Sequence, residues 1–146
     1  HSLPQKVVDA GDPYQHHVEM TVAKIMQNFS NINYKICYQS KVGPLPWLQP
    51  STELEIVKAA QKKLYIVVVP IAFVSDHSET LVELDIDYKM LAEQNGASGY
   101  LRVKSLADDD LFINALANLV KNIDNPRSKF CQDNQNCFSY CKRQIK

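Results

Sequence analysis

The sequence predicts an α/β fold: an open parallel sheet flanked by helices and followed by a C-terminal extension. Residues 63–69 are rich in β-branched residues and form an unbroken apolar run after Lys63, which is typical of a strand buried on both faces of a parallel sheet. Amphipathic helical patterns alternate with the candidate strands, as βαβ units require. The 146 residues suffice for one packed domain, and 16 basic against 16 acidic side chains argue against nucleic acid as a partner.

The N-terminal third is expected to hold a helix and a short strand. The apolar residues Val18, Val22 and Ile25 recur at helical spacing, so an amphipathic helix is predicted over residues 14–29. Residues 34–38 are the second strand candidate, and Cys37 within them reads as a buried thiol. The chain starts without Met in a segment typical of a loop that leaves a strand. We therefore expect further sequence upstream.

The central segments carry clear signals for helix ends. Ser51, followed by Glu53, predicts the start of a second helix, with an acid where the helix dipole favours it. A third helix with an apolar face is expected to end near Asn95-Gly96. Residues 100–103 form a third, weaker strand candidate. Asp108 or Asp109 can cap a fourth helix, whose apolar face comprises Leu111, Ala115, Leu119 and Ile123.

The strongest functional signal follows the most buried strand. His77 stands ahead of the third helix, and Glu79, Glu83 and Asp87 then recur at four-residue intervals. Ligands of open α/β sheets bind at the carboxyl ends of the strands. Neighbouring carboxylates raise one another's pKa values or attract a cation. The residues alone support two interpretations about equally. One is a metal- or proton-handling site, and the other is an ordinary solvated acidic face.

A stiff loop presents the single tryptophan of the chain. Gly43 and three prolines surround Trp47 between the second strand candidate and the second helix. The simpler interpretation is a Trp side chain that covers the local core. The functional interpretation is an aromatic wall for a flat ligand.

Three cysteines crowd near the C-terminus, at Cys131, Cys137 and Cys141. An odd number of thiols cannot close on itself as disulfides, so a metal with a fourth ligand from elsewhere is one interpretation. The surrounding sequence is polar. We therefore divide the chain into a domain over residues 1–123 and an extension over residues 124–146.

Several motifs in register resemble ferrochelatase of the animal type, over residues 1 to about 123. The motifs are His-Ser-Leu-Pro at 1–4, Gly-Asp-Pro-Tyr at 11–14, Gln-Ser-Lys-Val-Gly-Pro-Leu-Pro-Trp-Leu at 39–48, Pro-Ile-Ala-Phe at 70–73, Ser-Asp-His-Ser-Glu-Thr-Leu at 75–81 and Glu-Leu-Asp-Ile-Asp-Tyr at 83–88. The resemblance implies one of two Rossmann-like chelatase halves that hold a porphyrin between them. The whole enzyme, a lyase, would insert Fe²⁺ into protoporphyrin IX to form protoheme, the terminal step of heme biosynthesis.

The resemblance also implies roles for individual residues. His1 matches a pocket histidine assigned to pyrrole-proton abstraction or metal contact, and His77 with Glu79 matches the pair opposite it that handles protons and iron. An acidic path for protons or metal corresponds to Asp76, Glu83 and Asp87. The porphyrin pocket corresponds to Ser40, Val42, Trp47 and Phe73.

The C-terminal extension, which we also call the tail, departs from the family pattern. Its spacing is Cys-x5-Cys-x3-Cys, whereas animal enzymes with a [2Fe-2S] cluster typically show Cys-x2-Cys-x4-Cys and take their fourth ligand from the other half. A cluster on Cys131, Cys137 and Cys141 is expected, with zinc or free thiols as alternatives. The resemblance further implies a homodimer on the matrix side of the mitochondrial inner membrane, touching the membrane through the other half. The competing hypothesis is an inactive porphyrin- or heme-binding paralogue. In either case the isolated chain is expected to be inactive.

Overall fold

The computed structural model describes residues 2–39 and 43–122, so predictions about His1, Ser40, Val42 and the three C-terminal cysteines lie outside the described residues. The elements, in chain order, are α1 (Gln5–Asp9), α2 (Tyr14–Met26), α3 (Thr52–Gln61), β1 (Tyr65–Val68), a π-helix (Glu79–Asp87), α4 (Tyr88–Gln94), β2 (Gly99–Arg102) and α5 (Asp110–Lys121).

The predicted parallel sheet is confirmed, and in the described residues it has two strands. β1 and β2 pair in parallel, with Ile66 opposite Tyr100 and Val68 opposite Arg102. The strand expected at residues 34–38 is wrong: only Tyr38 pairs, in an isolated bridge to Ser51. Tyr34 and Lys35 are exposed, and residues 34–37 have no neighbouring strand in the described part of the chain, so no ladder extends from this bridge.

The core lies between one face of the sheet and the helices α3 and α4 with the preceding π-helix. The buried side chains pack α3 against β1 and bring the π-helix and α4 onto the same face. They are Ile56, Ala60, Ile66, Leu84, Tyr88 and Ala92. This single layer fixes where the π-helix begins relative to the ends of the strands.

In the described residues, the strand predicted at residues 63–69 is buried on one face only, not on both as expected. Ile66 is 8% exposed, but its neighbours Tyr65 and Val67 are 60% and 51% exposed. Successive side chains of a strand point to opposite faces, and all the helices of the core cluster pack on the face of Ile66. In the described residues the opposite face therefore presents apolar side chains to solvent.

The predicted start of α3, end of α4 and cap of α5 are confirmed, whereas α2 ends at Met26 and not at residue 29 as expected. The Ser51 hydroxyl accepts from the Leu54 N–H at 3.3 Å, which caps α3. The Asp109 carboxylate accepts from the N–H groups of Leu111 and Phe112 at 3.0 and 3.3 Å, which caps α5. Gly96, just past α4, has a φ of +89°, a backbone conformation that glycine adopts without strain.

The third helix differs from the expected α-helix. Its first nine residues, Glu79–Asp87, form a π-helix, and only Tyr88–Gln94 continue as α-helix. π-helical segments are rare and occur often at functional sites. This one carries all three carboxylates of the predicted acidic face.

Candidate functional site

The carboxyl end of β1 leads into the segment that carries Phe73 and His77. The two rings meet edge to face, with centroids 4.4 Å apart and planes at 70°. This is a favoured geometry for aromatic pairs. It places a half-buried aromatic side chain beside the imidazole at the entrance to the π-helix.

Backbone contacts fix the position of His77. The buried Thr80 hydroxyl accepts from the His77 N–H at 2.7 Å and donates to the His77 carbonyl at 2.8 Å. The Glu79 N–H donates to His77 Nδ1 at 3.2 Å. A neutral ring that accepts at Nδ1 carries its proton on Nε2. His77 can thus donate a hydrogen bond from Nε2, and to take up a proton at Nδ1 it must release the Glu79 N–H.

An acidic cleft of about 560 Å³ opens along the π-helix. Glu79, Glu83 and Asp87 all line it, as their spacing predicts. A fourth carboxylate, Glu53 from the first turn of α3, faces the same cleft. The remaining lining residues are Ser78, Val82, Tyr88 and Leu91. The cleft therefore combines a row of carboxylates with an apolar wall.

Two donors hold the Glu83 carboxylate in the middle of this row. Gln39 Nε2 donates to Oε2 at 2.6 Å, and the Tyr88 hydroxyl donates to Oε1 at 2.8 Å. Gln39 comes from a segment distant in sequence, whereas Tyr88 is the first residue of α4. Glu83 is therefore fixed in position by donors from two different segments of the chain.

The N-terminal segment runs beside the Trp47 loop. The Ser2 N–H donates to the Gln39 carbonyl at 3.2 Å, and the Leu48 N–H donates to the Leu3 carbonyl at 3.0 Å. Pro4 and Trp47 form an antiparallel bridge. These bonds bring residue 2 to Gln39, the residue that also contacts Glu83. Trp47 itself is half-buried and does not line the acidic cleft.

Asp76 lies apart from the cleft, although the resemblance implies that it belongs to the acidic path. Its carboxylate pairs with Arg102 at 2.9 Å and accepts from the Ser105 N–H at 3.4 Å. Hydrogen bonding with Ser105 is the main cause that lowers the pKa of Asp76, and the charge of Arg102 lowers it further. Asp76 is thus an ion-pair partner beside His77.

No metal centre is preformed in residues 2–39 and 43–122. No three His, Cys, Asp or Glu side chains of this part of the chain are arranged to hold a metal ion. In the same residues, no helix has the length and apolar character that a bilayer span requires.

Three contacts of the site were not predictable from the sequence pattern. Gln39 belongs to a recognised motif, but nothing local shows that its amide reaches Glu83. Glu53 indicates only a helix start, and Tyr88 matches the packed face of the helix. These residues act through tertiary contacts, which periodicity does not encode.

Comparison with known proteins gives a consistent result. The sequence profile described as Ferrochelatase matches residues 1–123. Proteins named Ferrochelatase from Pelagibacter ubique and Rickettsia typhi are 51% and 48% identical over 122 residues. The one from a Sulfurihydrogenibium species is 48% identical over 123 residues. Each match covers 82% of this chain but only 35–36% of the relative, so the chain spans about a third of the length of these proteins.

Proposed function

The chain belongs to the ferrochelatase family, and from this premise we propose that it is the C-terminal half of an enzyme that inserts Fe²⁺ into protoporphyrin IX. One observation carries the proposal: His77, with Phe73 against its ring, stands at the head of a π-helix whose carboxylates line one cleft. Metal insertion needs groups that remove protons beside groups that tolerate a divalent cation.

We assign a separate role to each group of residues in the site. The porphyrin loses two pyrrole protons while Fe²⁺ sheds its water. Imidazole groups suit the proton transfer near neutral pH, and His1 and His77 take this role with Glu79. Glu83 and Asp87 then carry protons or the hard cation along the cleft. Phe73 and Trp47, with Ser40 and Val42, line the macrocycle.

The experiment uses the full-length protein, because the porphyrin lies between two halves of it. We expect Glu79→Gln to lower the rate of Fe²⁺ insertion, measured anaerobically by loss of porphyrin fluorescence, by about 10²- to 10⁴-fold. Porphyrin binding should persist. Glu93→Gln is the matched control, since Glu93 is exposed on α4 and does not line the cleft.

The outcomes separate two functions. Near-normal turnover in Glu79→Gln would refute the role given to this carboxylate. A parent protein that binds protoporphyrin tightly but inserts neither Fe²⁺ nor Zn²⁺ would instead be the porphyrin- or heme-binding paralogue. His1→Ala tests the second proton acceptor in the same assay, with a loss of similar size expected.

The finer assignments rest on the resemblance and the tail sequence alone. They are the animal type, a homodimer, a membrane contact through the other half, a location on the matrix side of the mitochondrial inner membrane, and a [2Fe-2S] cluster on Cys131, Cys137 and Cys141. The relatives that support the family come from bacteria. The cluster also needs a fourth ligand outside this chain.

The cluster has a direct test. Full-length protein purified without air should be red-brown, with visible charge-transfer bands that Cys137→Ser removes. Cys37→Ser is the matched control, because Cys37 lies next to Tyr38 in the folded domain, and it should leave the bands unchanged. Colourless, iron-free protein that still inserts iron would show that the tail holds no cluster.

A further inference from the structure

Arg102 is a half-buried residue whose charged side chain is mostly enclosed at the carboxyl end of the sheet. It is the last residue of β2, and its side chain is only 7% exposed. A buried charge is costly unless it is paired and hydrogen-bonded. Hydrogen bonding to Asp85 is the main cause that raises the pKa of Arg102 above its ordinary value, so the side chain stays charged.

The Arg102 guanidinium joins two separate segments of the site. Nε and Nη2 donate to the two oxygens of Asp85 at 2.5 and 2.8 Å, a bidentate pair. Nη1 donates to Asp76 Oδ1 at 2.9 Å. Asp85 lies on the π-helix between Glu83 and Asp87, whereas Asp76 directly precedes His77. Neither Arg102 nor Asp85 lines the acidic cleft.

We propose that Arg102 is a positioning residue that holds His77 and the acidic face of the π-helix in one fixed arrangement. One arm of its guanidinium sets the helix against β2, and the other sets the segment before His77 against the same strand. The planar fork of arginine fits two carboxylates at once, which a lysine ammonium cannot do with the same geometry. The proposal rests on the proposed function, since it concerns the same site.

The first measurement compares Arg102→Gln with the parent in the full-length protein. We expect kcat for iron insertion to fall by about 10- to 100-fold, because misplacement of reacting groups by about 1 Å costs this much. Porphyrin affinity, followed by fluorescence quenching, should change by less than about twofold. Arg102→Lys should recover only part of the loss. Lys58→Gln is the matched control, since it breaks an exposed ion pair with Glu55 away from the site.

A double-mutant cycle tests whether Asp76 acts through Arg102. If it does, Asp76→Asn lowers kcat by itself but adds little to the loss in Arg102→Gln. A fully additive loss would show that Asp76 acts independently of Arg102 and would overturn this arm of the proposal. If Arg102→Gln does not fold, Arg102→Lys takes its place in the cycle, because it keeps the positive charge.

Amide hydrogen exchange gives a readout that does not depend on activity. The His77 and Glu79 N–H groups donate to Thr80 Oγ1 and His77 Nδ1, so their protection reports the local geometry. Loss of this protection in Arg102→Gln supports positioning even if the parent inserts no metal, which would sink only the proposed function. Unchanged protection with a kcat within about threefold of the parent would reject the proposal.

Discussion

The Cys37 thiol illustrates how burial sets the chemistry of a single residue. Burial is the main cause that raises its pKa, the hydrogen bond with Thr52 opposes this, and the charge of Glu55 adds to it. Raising the pKa of a thiol lowers the thiolate fraction at a given pH, and the thiolate is the reactive form. Cys37 is therefore expected to be inert in the folded protein.

Alkylation tests this expectation. Iodoacetamide at pH 8 should label the Cys37 peptide much more slowly in the folded protein than in urea, as measured by mass spectrometry. The folded state keeps its thiol proton at a pH where the unfolded state loses it. Because the folded state binds the thiol proton more tightly, the free energy of unfolding is highest below the ordinary thiol pKa of about 8.5. It falls as pH rises through the raised pKa of the folded state. Equal labelling rates in both states would contradict the burial of this side chain.

At the scale of residues, the sequence predicts positions that repeat but not contacts that cross the fold. Four-residue spacing indicates a shared face for Glu79, Glu83 and Asp87, and all three line one cleft. The contacts made by Gln39 and Arg102 join residues 44 and 17 positions apart. Their partners depend on how the elements pack, so no local pattern contains them.

At the scale of elements, the start of the π-helix depends on one buried hydroxyl. Thr80 is fully buried, and its Oγ1 both accepts from and donates to the backbone of His77. The substitution Thr80→Val keeps the shape of the side chain but removes both hydrogen bonds. The His77 N–H then loses its partner, and an unsatisfied buried donor costs about 1–3 kcal/mol.

Thermal unfolding of the full-length protein measures this cost. Thr80→Val should lower the midpoint, and it should also slow iron insertion because the backbone of His77 is released. Thr80→Ser is the matched control, since it keeps the hydroxyl, loses only a methyl group and should retain most of the activity. If Thr80→Val and Thr80→Ser behave alike, the hydrogen bonds do not position His77.

The type of the third helix shows where prediction of elements ends. Its apolar spacing and its end at Asn95-Gly96 follow from the sequence, as do the caps of α3 and α5. Its π-helical geometry does not. The Leu84 carbonyl accepts from the Tyr100 hydroxyl at 2.6 Å, a contact from β2 that engages the middle of the π-helix. Such a contact becomes visible only when the strand and the helix are packed together.

At the scale of the whole molecule, two apolar surfaces lie open in the described residues. One is the outer face of the sheet, with Val67 and Leu101 side by side. The other is α5, where the apolar face predicted for the fourth helix is exposed, Leu111 by 82%. Large open apolar patches mark surfaces that another partner covers. The proposed two-half architecture accounts for this pattern.

A matched pair of substitutions on β1 tests that account. Val67 points to the open face, whereas its neighbour Val68 packs against the core cluster. Burying a hydroxyl without a partner costs about 1–3 kcal/mol, so a valine-to-threonine change reports whether its site is dry.

In the isolated chain, Val68→Thr should lower the thermal midpoint and Val67→Thr should leave it nearly unchanged. In the full-length protein, both should lower it, because the rest of the protein then covers the outer face. The isolated chain should also bind a hydrophobic dye strongly and insert no iron. If Val67→Thr is as well tolerated in the full-length protein as in the isolated chain, this face remains open, and the proposed second half packs elsewhere.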